Sequence, residues 1–140
     1  MKMTTAELID YVPVSFNQER DKAERMPKEH KRHQRKQKIY ISIPITGMEE
    51  KSKIKAEQLQ KHFEAQGYDV INPFEIGTHL EKLYELCGHK PPTWANYMDW
   101  RVWALRSCDI IFFCVGWACS KGCTIEMEEA IKFKKEIMYE

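Results

Sequence analysis

Apolar residues come in short bursts, separated by longer polar stretches in which they recur every three or four positions. The first burst, residues 39–44 (IYISIP), ends at Pro44 and runs into Thr46-Gly47. A short apolar run closed by turn residues predicts a buried strand. Residues 49–66 are polar, with Ile54, Leu59, Phe63 and Ala65 on an approximate face, and Gly67 stands where a helix stops. A second strand is expected over 68–72, closed by Asn72-Pro73. Leu80, Leu83 and Leu86 mark a short amphipathic helix over 78–87, ended by Gly88. Beyond the Pro91-Pro92 break, Trp94, Met98, Val102 and Leu105 recur at helical spacing across 94–107. Residues 109–115 (DIIFFCV) are the most apolar run and predict the central strand. A last long helix over 121–134 precedes a closing strand over 136–139.

Strands alternating with helices imply a parallel sheet covered on both faces. Continuous apolar strands suit that burial. The expected fold is α/β, a Rossmann/flavodoxin-like three-layer sandwich with four to five parallel strands. Such sheets bind ligands outside the carboxyl ends of their strands. Those ends are the 44–47 segment, Asn72-Pro73 and Gly116-Trp117.

Charge divides the chain. Residues 1–38 hold ten Lys/Arg against six Asp/Glu, and residues 39–140 hold twelve against fifteen. A basic leader over 1–37 therefore precedes a domain over 38–140. Residues 28–38 (KEHKRHQRKQK) contain no apolar side chain, so they read as solvated helix or disorder. No aromatic interleaves those charges, which weakens single-strand binding, and a soluble linker or extended helix end is preferred over a nucleic-acid or acidic-partner contact. Upstream, Leu8, Ile9, Tyr11, Val12, Val14 and Phe16 form a small apolar cluster. No apolar run approaches the roughly 20 residues that span a bilayer. The start of the chain has no signal-peptide core. Cytoplasmic location without membrane contact is expected.

Five cysteines without a secretory signal argue against a disulfide framework. Cys119 and Cys123 could share a helical face, but no His lies near them, and no metal site is expected. Cys108 and Cys114 read as buried thiols. Trp117 stands at a strand end, where a base could stack on it. Trp94, Trp100 and Trp103 read as core or subunit contacts. His79 and His89 lie in the long connection to the Trp94 helix, which reads either as a lid or as solvated chain.

The segment from Gly116 to Glu126 (GWACSKGCTIE) leaves the central strand and enters a helix. Ser120 is placed to cap it. Gly122 lets a ligand approach the first turn, whose free N–H groups favour an anion or hydroxyl. Glu126 follows one turn later and can point toward the same pocket. A carboxylate there can act as a nucleophile toward a sugar carbon. By spacing alone, a solvated surface Glu remains open.

Tyr40, Ser42, Pro44, Thr46 and Gly47, with Tyr97-Met98, Cys108-Asp109, Gly116-Trp117, Ser120, Gly122, Glu126 and Ala130 following in order, make up a recognisable set. The domain resembles the nucleoside 2-deoxyribosyltransferase superfamily, which includes the 2′-deoxynucleoside 5′-phosphate N-hydrolases. It is most similar to a phage- or mobile-element-borne branch with a YISGPITG-type start. The resemblance covers residues 38–140. It implies that Glu126 attacks the anomeric carbon of a 2-deoxyribosyl group and that another base or water resolves the glycosyl-enzyme. It implies that Tyr40, Ser42, Thr46 and Gly47 shape the sugar and base site. Ser120 and Gly122 would hold the sugar 5′ end or its phosphate. It implies no cofactor, a nucleoside or nucleotide substrate, and a homodimer or larger homo-oligomer.

Three departures stand out. Ile43 replaces a frequent Gly, and Pro44 replaces the Ser of the N-hydrolases. Arg101 replaces an Asp that relatives carry eight residues before the third strand's opening aspartate. Arg101 could bind a phosphate or carboxylate, could pair with Glu126 and silence it, or could be an exposed helical Arg. Asp99, two residues earlier, is expected to face elsewhere. The reading is therefore an N-glycosidic cleaving or transferring enzyme, with a silent nucleotide-sensing module as the alternative.

Overall fold

The computed structural model describes residues 35–140. The chain divides into units 1–35 and 36–140. The basic leader up to residue 34 and its apolar cluster lie outside the described residues. The second unit is an α/β sandwich built on a four-stranded parallel sheet in the order β2-β1-β3-β4. Its elements are β1 (Lys38–Ser42), α1 (Glu49–Ala65), β2 (Asp69–Ile71), α2 (Pro73–Leu86), α3 (Trp94–Arg106), β3 (Ile110–Phe113), a 3₁₀ turn (Trp117–Cys119), α4 (Lys121–Lys132) and β4 (Glu136–Tyr139). This is the expected Rossmann/flavodoxin-like architecture.

β1 and β3 are the inner strands, which explains their unbroken apolar sequence. Strand residues alternate between the two faces. Ile39, Ile41, Ile110 and Phe112 pack on one side with Ala56 and Phe63 of α1. Tyr40, Ile111 and Phe113 pack on the other with Ala104 and Leu105 of α3 and Met127 and Ala130 of α4. The register sets Tyr40 beside Ile111 and Ser42 beside Phe113. Ser42 is therefore two residues along from Tyr40 on the α3/α4 side. A polar residue at the end of an apolar strand is turned toward α4.

Several boundaries differ from expectation, and two of the differences have a clear physical cause. α2 begins at Pro73, five residues before the expected 78. Asn72 Oδ1 accepts from the Phe74 N–H at 2.9 Å, and Pro73 occupies the first turn, where its missing N–H is harmless. The Asn-Pro pair thus closes a strand and opens a helix together. β3 ends at Phe113 rather than 115, because Gly116 at φ +90° turns the chain back and Val115 is left exposed. The Glu140 side chain holds that turn, accepting from the Val115 N–H at 2.8 Å and pairing with Lys55 at 2.6 Å.

Among the described residues, no helix is long and apolar enough to cross a membrane. Phe63 anchors the α1 face edge-on to Phe112 at 5.1 Å and to Tyr68 at 6.2 Å. Phe63→Ala is expected to cost about 3–5 kcal/mol of unfolding free energy, read from urea denaturation.

Candidate active site

α4 carries a stripe of Cys123, Glu126, Met127 and Ala130 against the sheet. Glu126 is the one acid in it, and it is only 4% exposed. A carboxylate brought into that position must recover hydrogen bonds or take up a proton. The two outward hydroxyls of β1 supply the bonds. Tyr40 Oη donates to Oε2 at 2.5 Å, and Ser42 Oγ donates to Oε1 at 2.7 Å. Each carboxylate oxygen keeps a further lone pair.

Glu126 opens on a small cleft at the carboxyl edge of the sheet. Ile43, Ile45 and Thr46 form one side, and Pro73 at the start of α2 forms another. Arg101 of α3 and Ser120, Gly122 and Cys123 of α4 complete it. The enclosed space is about 20 Å³, room for roughly one water. The site lies where the strand order reverses between β1 and β3, as open α/β sheets dictate. The 43–46 loop is held by Ser52, whose hydroxyl donates to the Pro44 carbonyl.

Burial pushes the Glu126 carboxyl above its ordinary value, and the Tyr40 and Ser42 hydroxyls and the Arg101 charge pull it partly back. Burial, then the Glu126 charge, raises the Tyr40 phenol well above 10, so it stays a donor. Burial also raises the Cys123 thiol. No ion pair joins Arg101 to Glu126 among the described residues, so the silencing salt bridge considered above is not formed. Arg101 packs on the Tyr97 ring, 5.6 Å from its centroid, and its Nε is buried without a hydrogen-bond partner. Asp99 faces a different groove, beside Trp103 and Arg106.

Thr46, Arg101, Ser120, Gly122 and Glu126 thus meet in one cleft. Ser120 Oγ caps α4, accepting from the Cys123 N–H at 3.3 Å. The N–H groups of Lys121 and Gly122 have no intrahelical acceptor. A Cβ on Gly122 would meet Met98 Sδ at 3.3 Å, so tight packing of α4 on α3 also favours glycine there. Four expected contacts fall elsewhere. Tyr40 and Ser42 are fully buried and hold Glu126 from behind rather than touching a ligand. Gly47 makes a left-handed turn at φ +81°, its N–H donating to Glu49 at 3.1 Å. Trp117 is folded back by the Gly116 turn onto Phe113 and Tyr139, at ring distances of 5.3 and 6.2 Å. A base cannot stack on its buried face.

Ile45 and Pro73 line the cleft from two of the strand-end segments expected to form it, although neither was singled out as a contact, and Cys123 was not expected there. Cys123 was signalled by its place three residues before Glu126, on the same helical face. Cys108 and Cys114 are fully buried, and Cys119 lies exposed in the turn before α4. Among the described residues, no group of three or more His, Cys, Asp or Glu could hold a metal. His89 lies beside Tyr84, with ring centroids 5.6 Å apart, in a surface groove away from Glu126.

The molecule is thus an α/β domain with a buried, hydroxyl-held carboxylate at the carboxyl edge of its sheet. Residues 37–139 match the family described as Domain of unknown function (DUF4406), and the chain belongs to that family. Among curated proteins, none matches it.

The raised carboxyl carries a pH signature. The folded state keeps the Glu126 proton to higher pH than the unfolded state. Stability from this group is therefore fully present below the ordinary value of 4.5 and is lost as pH rises through the folded value. Glu126→Gln removes that slope, with the Ser42 hydroxyl turning to accept from the new amide. Urea titrations at pH 4 and pH 8 are expected to show the variant gaining on the native protein at the higher pH.

Proposed function

We propose that this protein cleaves or transfers at the N-glycosidic bond of a 2′-deoxynucleoside or deoxynucleotide, with Glu126 as nucleophile. One observation carries the reading: a buried carboxylate faces the cleft with free lone pairs, fixed by two neutral donors and capped by no cation. Such a group is oriented and poorly solvated, which suits attack on a sugar carbon. The resemblance to nucleoside 2-deoxyribosyltransferases implies the same chemistry at the same residue and supports this reading.

The sugar 5′ end, or its phosphate, sits at the Ser120–Gly122 start of α4. The anomeric carbon then meets Glu126 one turn deeper. Attack expels the base and forms a glycosyl ester, and water or a second base resolves it. Tyr40 and Ser42 keep the carboxylate aligned throughout. The reaction so written needs no metal or redox cofactor. Because the cleft holds about one water, it must open to admit a nucleoside.

The same reading includes a homodimer or larger assembly in the cytoplasm, with no membrane or nucleic-acid partner. Trp94, Trp100 and Trp103 support a covered face, since all three are exposed on α3, Trp103 at 68%. A second reading, a nucleotide-sensing module that lost turnover, draws on Arg101 standing where relatives carry an Asp.

Purified protein incubated with deoxynucleosides and their 5′-monophosphates, with and without an acceptor base, distinguishes the two. Release or exchange of base is expected, with at least about a 10³-fold loss in Glu126→Ala. Binding by thermal shift without turnover on any member of the panel would favour the sensing module.

A further inference from the structure

Arg101 is the single cation among the described residues that line the cleft. Its Nε is buried and unpartnered, an arrangement that is costly unless a ligand supplies the acceptor. The guanidinium is not loosely placed. It packs on Tyr97, whose hydroxyl is itself fixed by donating to Glu81 at 2.6 Å. Arg101 and Glu126 both line the same small space, of about 20 Å³, without being paired.

Displacement at a sugar carbon sends the leaving group away from the attacking oxygen. With the sugar 5′ end placed at the start of α4 as proposed, Arg101 of α3 is the cationic group among the described cleft residues that is available to the departing base. Resting on the glycosidic reading above, we infer that Arg101 is the leaving-group residue and that the substrates are deoxynucleosides whose base departs as an anion with an oxo group beside the glycosidic nitrogen. The 2-oxopyrimidines uracil and thymine are of this class.

The electron balance follows from the groups present. Glu126 Oε bonds to C1′ as the C1′–N bond breaks, and the electron pair stays on the ring nitrogen. That charge spreads to the adjacent oxo group, to which Arg101 donates. Arg101 does not give up its proton, so it acts by charge and hydrogen bonding. Cys123, the remaining ionisable side chain beside Glu126 in the cleft, has a thiol that burial holds protonated. Water then attacks C1′ of the glycosyl ester, the base anion takes the proton of that water, and the ester C–O bond breaks to restore the Glu126 carboxylate. The products are the neutral base and 2-deoxyribose.

A series of 2′-deoxyuridines bearing methyl, hydrogen, fluoro or nitro at C5 tests this, because the base leaves more readily along it. Arg101→Gln is expected to lose on the order of 10²–10³-fold in kcat/KM on deoxyuridine. The loss should shrink steadily toward the nitro compound, with Arg101→Lys recovering part of it. An equal loss across the series overturns the assignment, as does a rise in KM confined to 5′-monophosphates, which would make Arg101 a phosphate residue. A native protein that releases base from deoxyadenosine or deoxyguanosine but from none of the series overturns the substrate class, and one that cleaves neither these nor the series overturns the glycosidic reading itself.

Discussion

Burying a carboxylate strips it of water, and the domain's chemistry depends on how Glu126 makes up that loss. Two hydroxyls on β1 take the place of water, one on each oxygen. A cationic partner would stabilise the charge more strongly but would also occupy the lone pairs that a nucleophile needs. Neutral donors orient the group and leave it reactive. Burial still wins over those donors, since the carboxyl remains above its ordinary value. Residual instability of this kind is common where a fold holds a group ready for reaction.

The sheet makes the arrangement possible. Tyr40 and Ser42 reach the same face because strand residues alternate, and both reach α4 because β1 and β3 are inner strands. The turn after β3 brings α4 back across that face with Glu126 in its buried stripe. Reversal of strand order between β1 and β3 leaves a crevice above, into which the 43–46 loop, α2, α3 and α4 each place residues. Arg101 enters the same crevice from α3 without an ion pair to Glu126.

Much of this was legible before any coordinates. Apolar bursts placed all four strands, and β4 runs over the residues expected. Glu126, Ser120, Gly122 and Thr46 were identified as site residues and do share a cleft. What the one-dimensional pattern could not supply was direction. The resemblance implied Tyr40 and Ser42 as ligand contacts, but strand alternation turns them onto the α4 side, where they meet Glu126 instead. Trp117 read as a stacking platform, yet the left-handed Gly116 reverses the chain and lays the ring on β3 and β4. The early start of α2 was missed because Asn72-Pro73 was given only one of its two roles. Arg101 was singled out as a departure, but its freedom from Glu126 required three dimensions.

The central claim is that Glu126 becomes covalently bound to the sugar. Mass spectrometry of protein quenched in acid during incubation with deoxyuridine addresses it directly. The account predicts a species heavier than the native chain by one 2-deoxyribosyl unit, located on the peptide containing Glu126 and missing from Glu126→Ala. Base release by the native protein with no such adduct, or with an adduct that persists in Glu126→Ala, would contradict it.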